Sequence, residues 1–190
     1  MPMAYTGRII EDPITKQRIT FLKTARDTCG ELLRFEVRMA PGGFIHRHTH
    51  PKQEERVEVI SGTMRFRIKS RERSLASGER LVVYPGEIHE VHNQSGADAI
   101  FIVESRPALK TERGLETIFG LAKDGMTNQN GRPKNVLQRG VIAYDNINEV
   151  ALRSVPLVVQ RAVVAPLAGL GHLLGFRSSY SRYADDGKSL

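Results

Sequence analysis

The segment at residues 56–70, RVEVISGTMRFRIKS, places the strongest constraint on the fold. Its apolar residues alternate with polar and charged ones on both sides of Ser61–Gly62, and they are Val57, Val59, Met64, Phe66 and Ile68. Alternation with a period of two is a strand pattern, because successive side chains of a strand point to opposite faces. The segment therefore predicts a hairpin of two strands with one apolar face and a turn at Ser61–Gly62.

Similar short runs fill the first hundred residues. They are bounded by glycine, proline and other turn residues, and they comprise GRIIEDPITKQRITFLKTARD (7–27), ELLRFEVRMAPGG (31–43), ERLVVYPGEIHEVHN (79–93) and DAIFIVESRP (98–107). Many short strands joined by frequent turns are typical of a sandwich or a closed barrel. We therefore predict a mainly β domain over residues 1–106.

The pattern becomes helical after Pro107. Residues 111–125, TERGLETIFGLAKDG, combine a candidate N-cap at Thr111, a helical apolar spacing and a final glycine. Residues 126–135 form a polar loop, and residues 136–152 fit a helix or mixed structure. We therefore predict a helical C-terminal extension over residues 107–190.

The most apolar part of the chain lies in this extension, at residues 156–176. It is interrupted by Arg161, Pro166 and His172, and it falls short of the span of about 20 apolar residues that crosses a membrane. The pattern favours a helix that packs on the barrel or on a second subunit, and we predict a homodimer. An interfacial membrane helix is the alternative, because basic residues flank the segment: Arg153, Arg161, Arg177 and Arg182.

Charge and cysteine content restrict the function classes. The net charge is +7, but basic and acidic residues are interleaved and no nucleic-acid-binding motif is present, so we predict no nucleic-acid partner. The single cysteine, Cys29, cannot form an internal disulfide. Because the first residues also lack the pattern of a secretion signal, we predict a cytoplasmic protein.

Residues 46–55, HRHTHPKQEE, concentrate groups that bind metals. In a strand, His46, His48 and His50 would project from one face, and Glu55 has the parity of the inward-facing Val57. Glu54 has the opposite parity and is expected to face solvent. Histidines and a carboxylate in a barrel interior need partners, and a divalent cation can satisfy them.

The spacing of these residues resembles that of a known family. Residues 42–62 follow G-x5-H-x-H-x4-E-x6-G, and residues 78–93 follow G-x7-G-x2-H-x3-N. The two patterns resemble the two motifs of the cupin superfamily, over roughly residues 20–105. One departure is Tyr84, which stands where the family usually has proline.

The resemblance implies a fold and a ligand set. The fold would be a double-stranded β-helix, or jelly-roll barrel, followed by the C-terminal helices. The metal ligands would be His48, His50, Glu55 and His89. Three histidines and one carboxylate suit a divalent transition metal, with Fe(II) or Mn(II) favoured and Zn(II), Ni(II) or Co(II) as alternatives.

Nearby polar residues receive lesser roles. His46 lies outside the family pattern, and we interpret it as a pocket or rim residue. Gln53 and Tyr84 are candidates for the site entrance. His92 is expected to face outward, and Asn93 to form hydrogen bonds within the barrel.

Two functions follow from this pattern. The first is a metal-dependent enzyme that acts on a small organic molecule in the barrel, with a dioxygenase as the first interpretation and an isomerase as the second. The other is a non-catalytic cupin that binds a small ligand or holds a structural metal, with attachment to a membrane surface or partner through its apolar helix as a further option. No separate general base stands out in the sequence, so the catalytic residues are left unassigned.

Overall fold

The computed structural model describes residues 4–151 and 155–184. The chain begins with ten strands, which are β1 (Ile9–Asp12), β2 (Gln17–Lys23), β3 (Leu33–Met39), β4 (Phe44–His48), β5 (Glu54–Ser61), β6 (Thr63–Ile68), β7 (Arg71–Ala76), β8 (Arg80–Val83), β9 (His89–His92) and β10 (Ala99–Arg106). They form an antiparallel sheet of six strands in the order β1-β2-β3-β10-β5-β8 and one of four strands in the order β4-β9-β6-β7. The mainly β architecture agrees with the prediction.

The core lies between the two sheets. In β10 every second side chain is buried, and β3 buries Leu33, Phe35, Val37 and Met39 in the same way. Across the core, the ring of Phe66 from the small sheet meets that of Phe101 from the large sheet edge-to-face, at 6.4 Å between centroids. The period-two pattern of the sequence therefore corresponds to one buried and one outer face in each sheet.

The predicted hairpin at residues 56–70 is wrong in its pairing, although its two strands are confirmed and its inward residues are buried except Ile68, which is half-buried. β5 pairs with β8 and β10 in the large sheet, whereas β6 pairs with β7 and β9 in the small one. Gly62 lies at the crossing between the sheets with φ +78°. A Cβ at this position would lie 3.0 Å from Ala99 and from the Asp98 carbonyl oxygen, so these two residues leave no room for a side chain at the crossing.

Three helices follow the strands: α1 (Thr111–Lys123), α2 (Val136–Asp145) and α3 (Leu157–Leu173). Thr111 is the first residue of α1 rather than its N-cap, which is Lys110. The glycine stop is confirmed, because Gly125 follows the helix with φ +69°. Asn135 caps α2 by accepting hydrogen bonds from the backbone N–H groups of residues 137 and 138.

α3 packs chiefly on α2, whereas one of the predictions placed it on the barrel. Gly140 and Gly171 allow the close approach, since a Cβ at either would come within 2.7 Å of a side chain on the opposite helix. Only Ala168 and Gly171 of α3 are buried. No helix within the described residues is both long and apolar enough to cross a membrane. Arg153 lies outside the described residues.

Candidate metal centre

Four predicted ligands meet at one end of the barrel. His48 ends β4 and lies opposite His89, the first residue of β9, while His50 follows β4 and Glu55 is the second residue of β5. Each of the four offers one ligand atom, and these atoms all lie within 4.8 Å of one another. The structure thus brings together side chains that are 41 positions apart in the sequence.

A bulge in β4 separates His46 from this cluster. Ile45 pairs with Val91 and His48 pairs with His89, so β4 has one more residue than β9 between the two pairs. Ile45 packs against the core, and the extra residue lets His48 also point inward. The predicted shared face of His46 and His48 is therefore wrong. The His46 Nε2 atom instead lies 2.5 Å from the carbonyl oxygen of Asn130, in the polar loop between α1 and α2.

Backbone carbonyls fix the orientation of all three histidine rings of the cluster. The Nδ1 atom of His48 lies 2.6 Å from the carbonyl oxygen of His46, and that of His50 lies 2.5 Å from the carbonyl oxygen of Glu149. The Nδ1 atom of His89 lies 3.1 Å from the Glu87 carbonyl oxygen. A carbonyl can only accept, so each Nδ1 carries a hydrogen. In the neutral rings, Nε2 is therefore the atom left with a lone pair.

These Nε2 atoms and the Glu55 carboxylate face one another. The Nε2 atoms of His48 and His50 are 2.9 Å apart, and the two Glu55 oxygens lie 3.4 Å from His50 Nε2 and 3.2 Å from His89 Nε2. Two lone pairs at this separation repel unless a cation or proton lies between them. Within the described part of the chain, the buried Nε2 atom of His89 has no hydrogen-bond partner of good geometry. The donor set therefore fits a divalent transition metal.

The site's electrostatics also favour a cation. Burial, followed by the charges of His89 and His50, lowers the pKa of His48 to about 3, which keeps its ring neutral near pH 7. Burial acts to raise the pKa of the Glu55 carboxyl, but His50 and His89 outweigh it and hold that pKa below its usual range. For His89 the effect of burial is outweighed by the Glu55 carboxylate, which raises the pKa of the His89 ring. The cluster thus combines a neutral His48 ring with an ionised Glu55 carboxylate, and this carboxylate raises the pKa of the neighbouring His89.

Two further residues support the cluster, and sequence reasoning missed both. The Ser105 hydroxyl donates to a Glu55 oxygen at 3.3 Å, and it is buried at an inward position of β10. A serine with inward parity in the apolar run IFIVES was a usable signal for it. Glu149 contributes its backbone carbonyl, which no side-chain pattern could have indicated.

The predictions for the other polar residues agree with the structure only in part. Asn93 is fully buried and donates through its amide to the carbonyls of Met39 and Ala97, as predicted. His92 lies outside the cluster, beside Glu90. Tyr84 is exposed. Gln53 is buried rather than at an entrance, and its amide donates to residues at the start of the helical extension: Pro107, Ala108 and Thr111.

The fold and the family comparison define the class of protein. Residues 35–103 match the family model described as Cupin domain. The chain therefore contains a cupin domain with C-terminal helices, as the resemblance implied, and its His-His-Glu-His cluster could bind a divalent metal. No curated protein matches the chain.

Several solved structures are similar to the chain. A sugar phosphate isomerase of a cupin superfamily from Silicibacter pomeroyi is 23% identical, with a TM-score of 0.43 over 49% of this chain and 60% of that one. An RmlC-like cupin from Shewanella frigidimarina is 18% identical, with a TM-score of 0.48 over 57% of this chain and 93% of that one. A predicted oxalate decarboxylase from Thermotoga maritima is 16% identical, with a TM-score of 0.48 over 56% and 99% of the two chains.

Proposed function

We propose that the protein is a metal-dependent enzyme that acts on a small organic molecule at the barrel end. One observation carries the proposal: three Nε2 atoms and the Glu55 carboxylate converge, while every ring Nδ1 faces a backbone carbonyl. This arrangement fixes the tautomer that a metal requires before any metal arrives. Fe(II) or Mn(II) is our first choice of metal, with Zn(II), Ni(II) or Co(II) as alternatives.

The reaction we favour is a dioxygenation, with isomerisation second. A bound ion of this kind supplies Lewis acidity or a centre for oxygen activation. The chain's own residues keep His48 neutral, hold Glu55 ionised and orient that carboxylate through Ser105. Four protein ligands leave one or two positions for a substrate on a five- or six-coordinate ion.

The alternative is a non-catalytic cupin with a structural metal or a bound small ligand. One observation favours it: the segment around Glu149 lies against His50, and Ala151 pairs with Thr49, the residue between the two ligand histidines. A segment that braces a ligand ring at its Nδ1 atom suits a metal that is held permanently. The two functions therefore differ in whether an exchangeable molecule reaches the metal.

The metal is tested first, by metal analysis of the purified protein and by reconstitution with each candidate ion. We expect the wild type to hold about one ion, and His89→Ala to lose it. The matched control is His92→Ala, since His92 lies on the same strand but outside the cluster. A wild type that takes up none of these ions, or a His89→Ala protein that binds as the control does, would refute the metal centre.

Catalysis is tested on the loaded protein. Oxygen consumption with catechol-like, flavonol-like and diketone compounds should exceed that of the His89→Ala variant if the protein is a dioxygenase. Conversion without oxygen consumption would support an isomerase. A metal that binds firmly but promotes neither reaction would favour the structural alternative.

A further inference from the structure

The structure assigns residues 146–151 a role in the proposed metal centre: this segment, which we call the strap, positions His50 from outside the barrel domain. The inference rests on the proposed function, because it concerns how the same cluster is held. The positioning residue is Glu149, which acts on the cluster through the ring of His50.

Alternate residues of the strap are buried. Ile147, Glu149 and Ala151 are buried, whereas Val150 between them is 47% exposed. The backbone N–H of Ala151 donates to the carbonyl of Thr49 at 3.1 Å, which forms an isolated bridge beside His50. The strap thus continues the barrel with one strand-like pairing at the position where the ligand histidines lie.

Glu149 joins the strap to two different partners. Its carbonyl oxygen lies 2.5 Å from His50 Nδ1 and therefore fixes the tautomer of a proposed ligand. Its side-chain Oε1 atom accepts a hydrogen bond from the backbone N–H of Lys110 at 3.2 Å. The Glu149 side chain is nine-tenths buried, and its Oε2 atom has no hydrogen-bond partner within the described residues. A buried carboxylate with one satisfied oxygen is costly, so its position indicates that it anchors the strap.

Residues 107–111, which include the Lys110 contact of Glu149, also hold the strand that carries Glu55. The Gln53 amide donates to the carbonyls of Pro107 and Ala108 and to the hydroxyl of Thr111, all near Lys110. Residues 107–111 are therefore a common anchor: through Gln53 they hold the start of β5, and through Glu149 they hold the strap. The helical extension is accordingly part of the metal centre, although all four ligands lie in the barrel.

The experiment compares three variants of the full-length protein. Glu149→Ala removes the anchor, Glu149→Gln keeps an oxygen that can accept from Lys110, and Val150→Ala changes the exposed neighbour. The dissociation constants for Zn(II) and Co(II) are measured by competition with a chromophoric chelator. We expect Glu149→Ala to bind about 10- to 100-fold more weakly, the range seen when a partner of a metal ligand is removed. Glu149→Gln and Val150→Ala should bind as the wild type does.

A second readout separates positioning from folding and from failure of the proposed function. In the metal-free protein, the 15N chemical shifts of His50 should show hydrogen on Nδ1 in the wild type and a mixture of tautomers in Glu149→Ala. Circular dichroism checks that the variants are folded. If Glu149→Ala binds metal as tightly as Val150→Ala and leaves the His50 shifts unchanged, the strap has no positioning role. If the wild type binds no metal, the proposed function fails, and the His50 shifts alone decide the role of the strap.

Discussion

Protonation of the His89 ring makes the stability of the protein depend on pH. Its ring lies 3.2 Å from the Glu55 carboxylate, which raises the pKa of His89 above 6.5 against the opposing effect of burial. In the metal-free protein the extra proton therefore stabilises the fold. This contribution is fully present below pH 6.5, the unperturbed value, and is lost as the pH rises through the raised pKa.

A metal ion has to displace that proton, because both compete for His89 Nε2. We expect metal affinity to rise with pH from about 6.5 upward, until the pH exceeds the raised pKa of His89, with proton release on binding across this window. Isothermal titration calorimetry in buffers of different ionisation enthalpy measures both quantities. An affinity that is constant over this range, without proton release, would show that His89 is not a ligand.

Two local features of the strands position the four residues of the cluster. The bulge in β4 lets Ile45 and His48 both point inward although their parity differs. The crossing at Gly62 sends β5, with Glu55, into the large sheet while β6 joins the small one. The ligands thus come from both sheets and meet at the end of the barrel where the sheets face each other.

Substitutions at two glycines can separate the cost of a positive φ from the cost of steric crowding at the crossing. Gly62 and Gly78 both have positive φ, at +78° and +84°. An added Cβ would lie 3.0 Å from Ala99 at Gly62 but would meet nothing within 4 Å at Gly78. We expect Gly78→Ala to lower the free energy of unfolding by about 1 kcal/mol through conformation alone. Gly62→Ala should lower it by about 2–4 kcal/mol, because crowding is added.

Urea unfolding of the two variants and the wild type measures this difference. Equal losses at the two glycines would mean that the sheets can separate at the crossing at little cost. The two sheets would then be less rigidly held together at Gly62 than the short distance to Ala99 indicates.

At the scale of the whole molecule, α3 has an apolar face that the described residues leave exposed. Its exposed residues are all apolar except Arg161, which stacks on the ring of Tyr144. Seven large side chains of this region are between 38% and 85% exposed, namely Val158, Val159, Val163, Leu167, Leu170, Leu173 and Leu174.

These exposed apolar side chains are the reason we expect a second copy of the chain to cover the face. Two of the flanking basic residues have partners in the chain: Arg161 stacks on Tyr144, and Arg182 contacts Tyr183 and Asp124. Arg177 donates to the carbonyls of His172 and Phe176 at the C-terminal end of α3. A symmetric dimer would bury the face on both copies at once.

We therefore predict that Val163→Glu converts the dimer to a monomer, because it places a charge at the centre of the contact. Ala143→Glu, at an exposed position of α2, is the control and should stay dimeric. Analytical ultracentrifugation gives the masses, and circular dichroism checks the fold. A monomeric wild type that floats with anionic liposomes, and loses this with Val163→Glu, would instead support the membrane-surface alternative.

The sequence by itself determined the strand pattern and the change to helix after Pro107, and its resemblance to the two cupin motifs implied the four residues that form the cluster. These features are periodic or have fixed spacing, so they depend on neighbours along the chain and can be recognised without coordinates. Asn93 and the outward position of His92 followed from the same parity. Val57, Val59, Met64 and Phe66 are all buried, as the alternation predicted.

Only the tertiary structure decided which strands pair, where parity breaks and what holds the histidine rings. β5 and β6 look like a hairpin because they are adjacent, yet β5 pairs with β8 and β10 whereas β6 pairs with β7 and β9. The bulge that excludes His46 exists only relative to β9. The carbonyl of Glu149 reaches His50 from 99 residues away, and a backbone carbonyl is common to every residue, so the sequence carries no mark of its role.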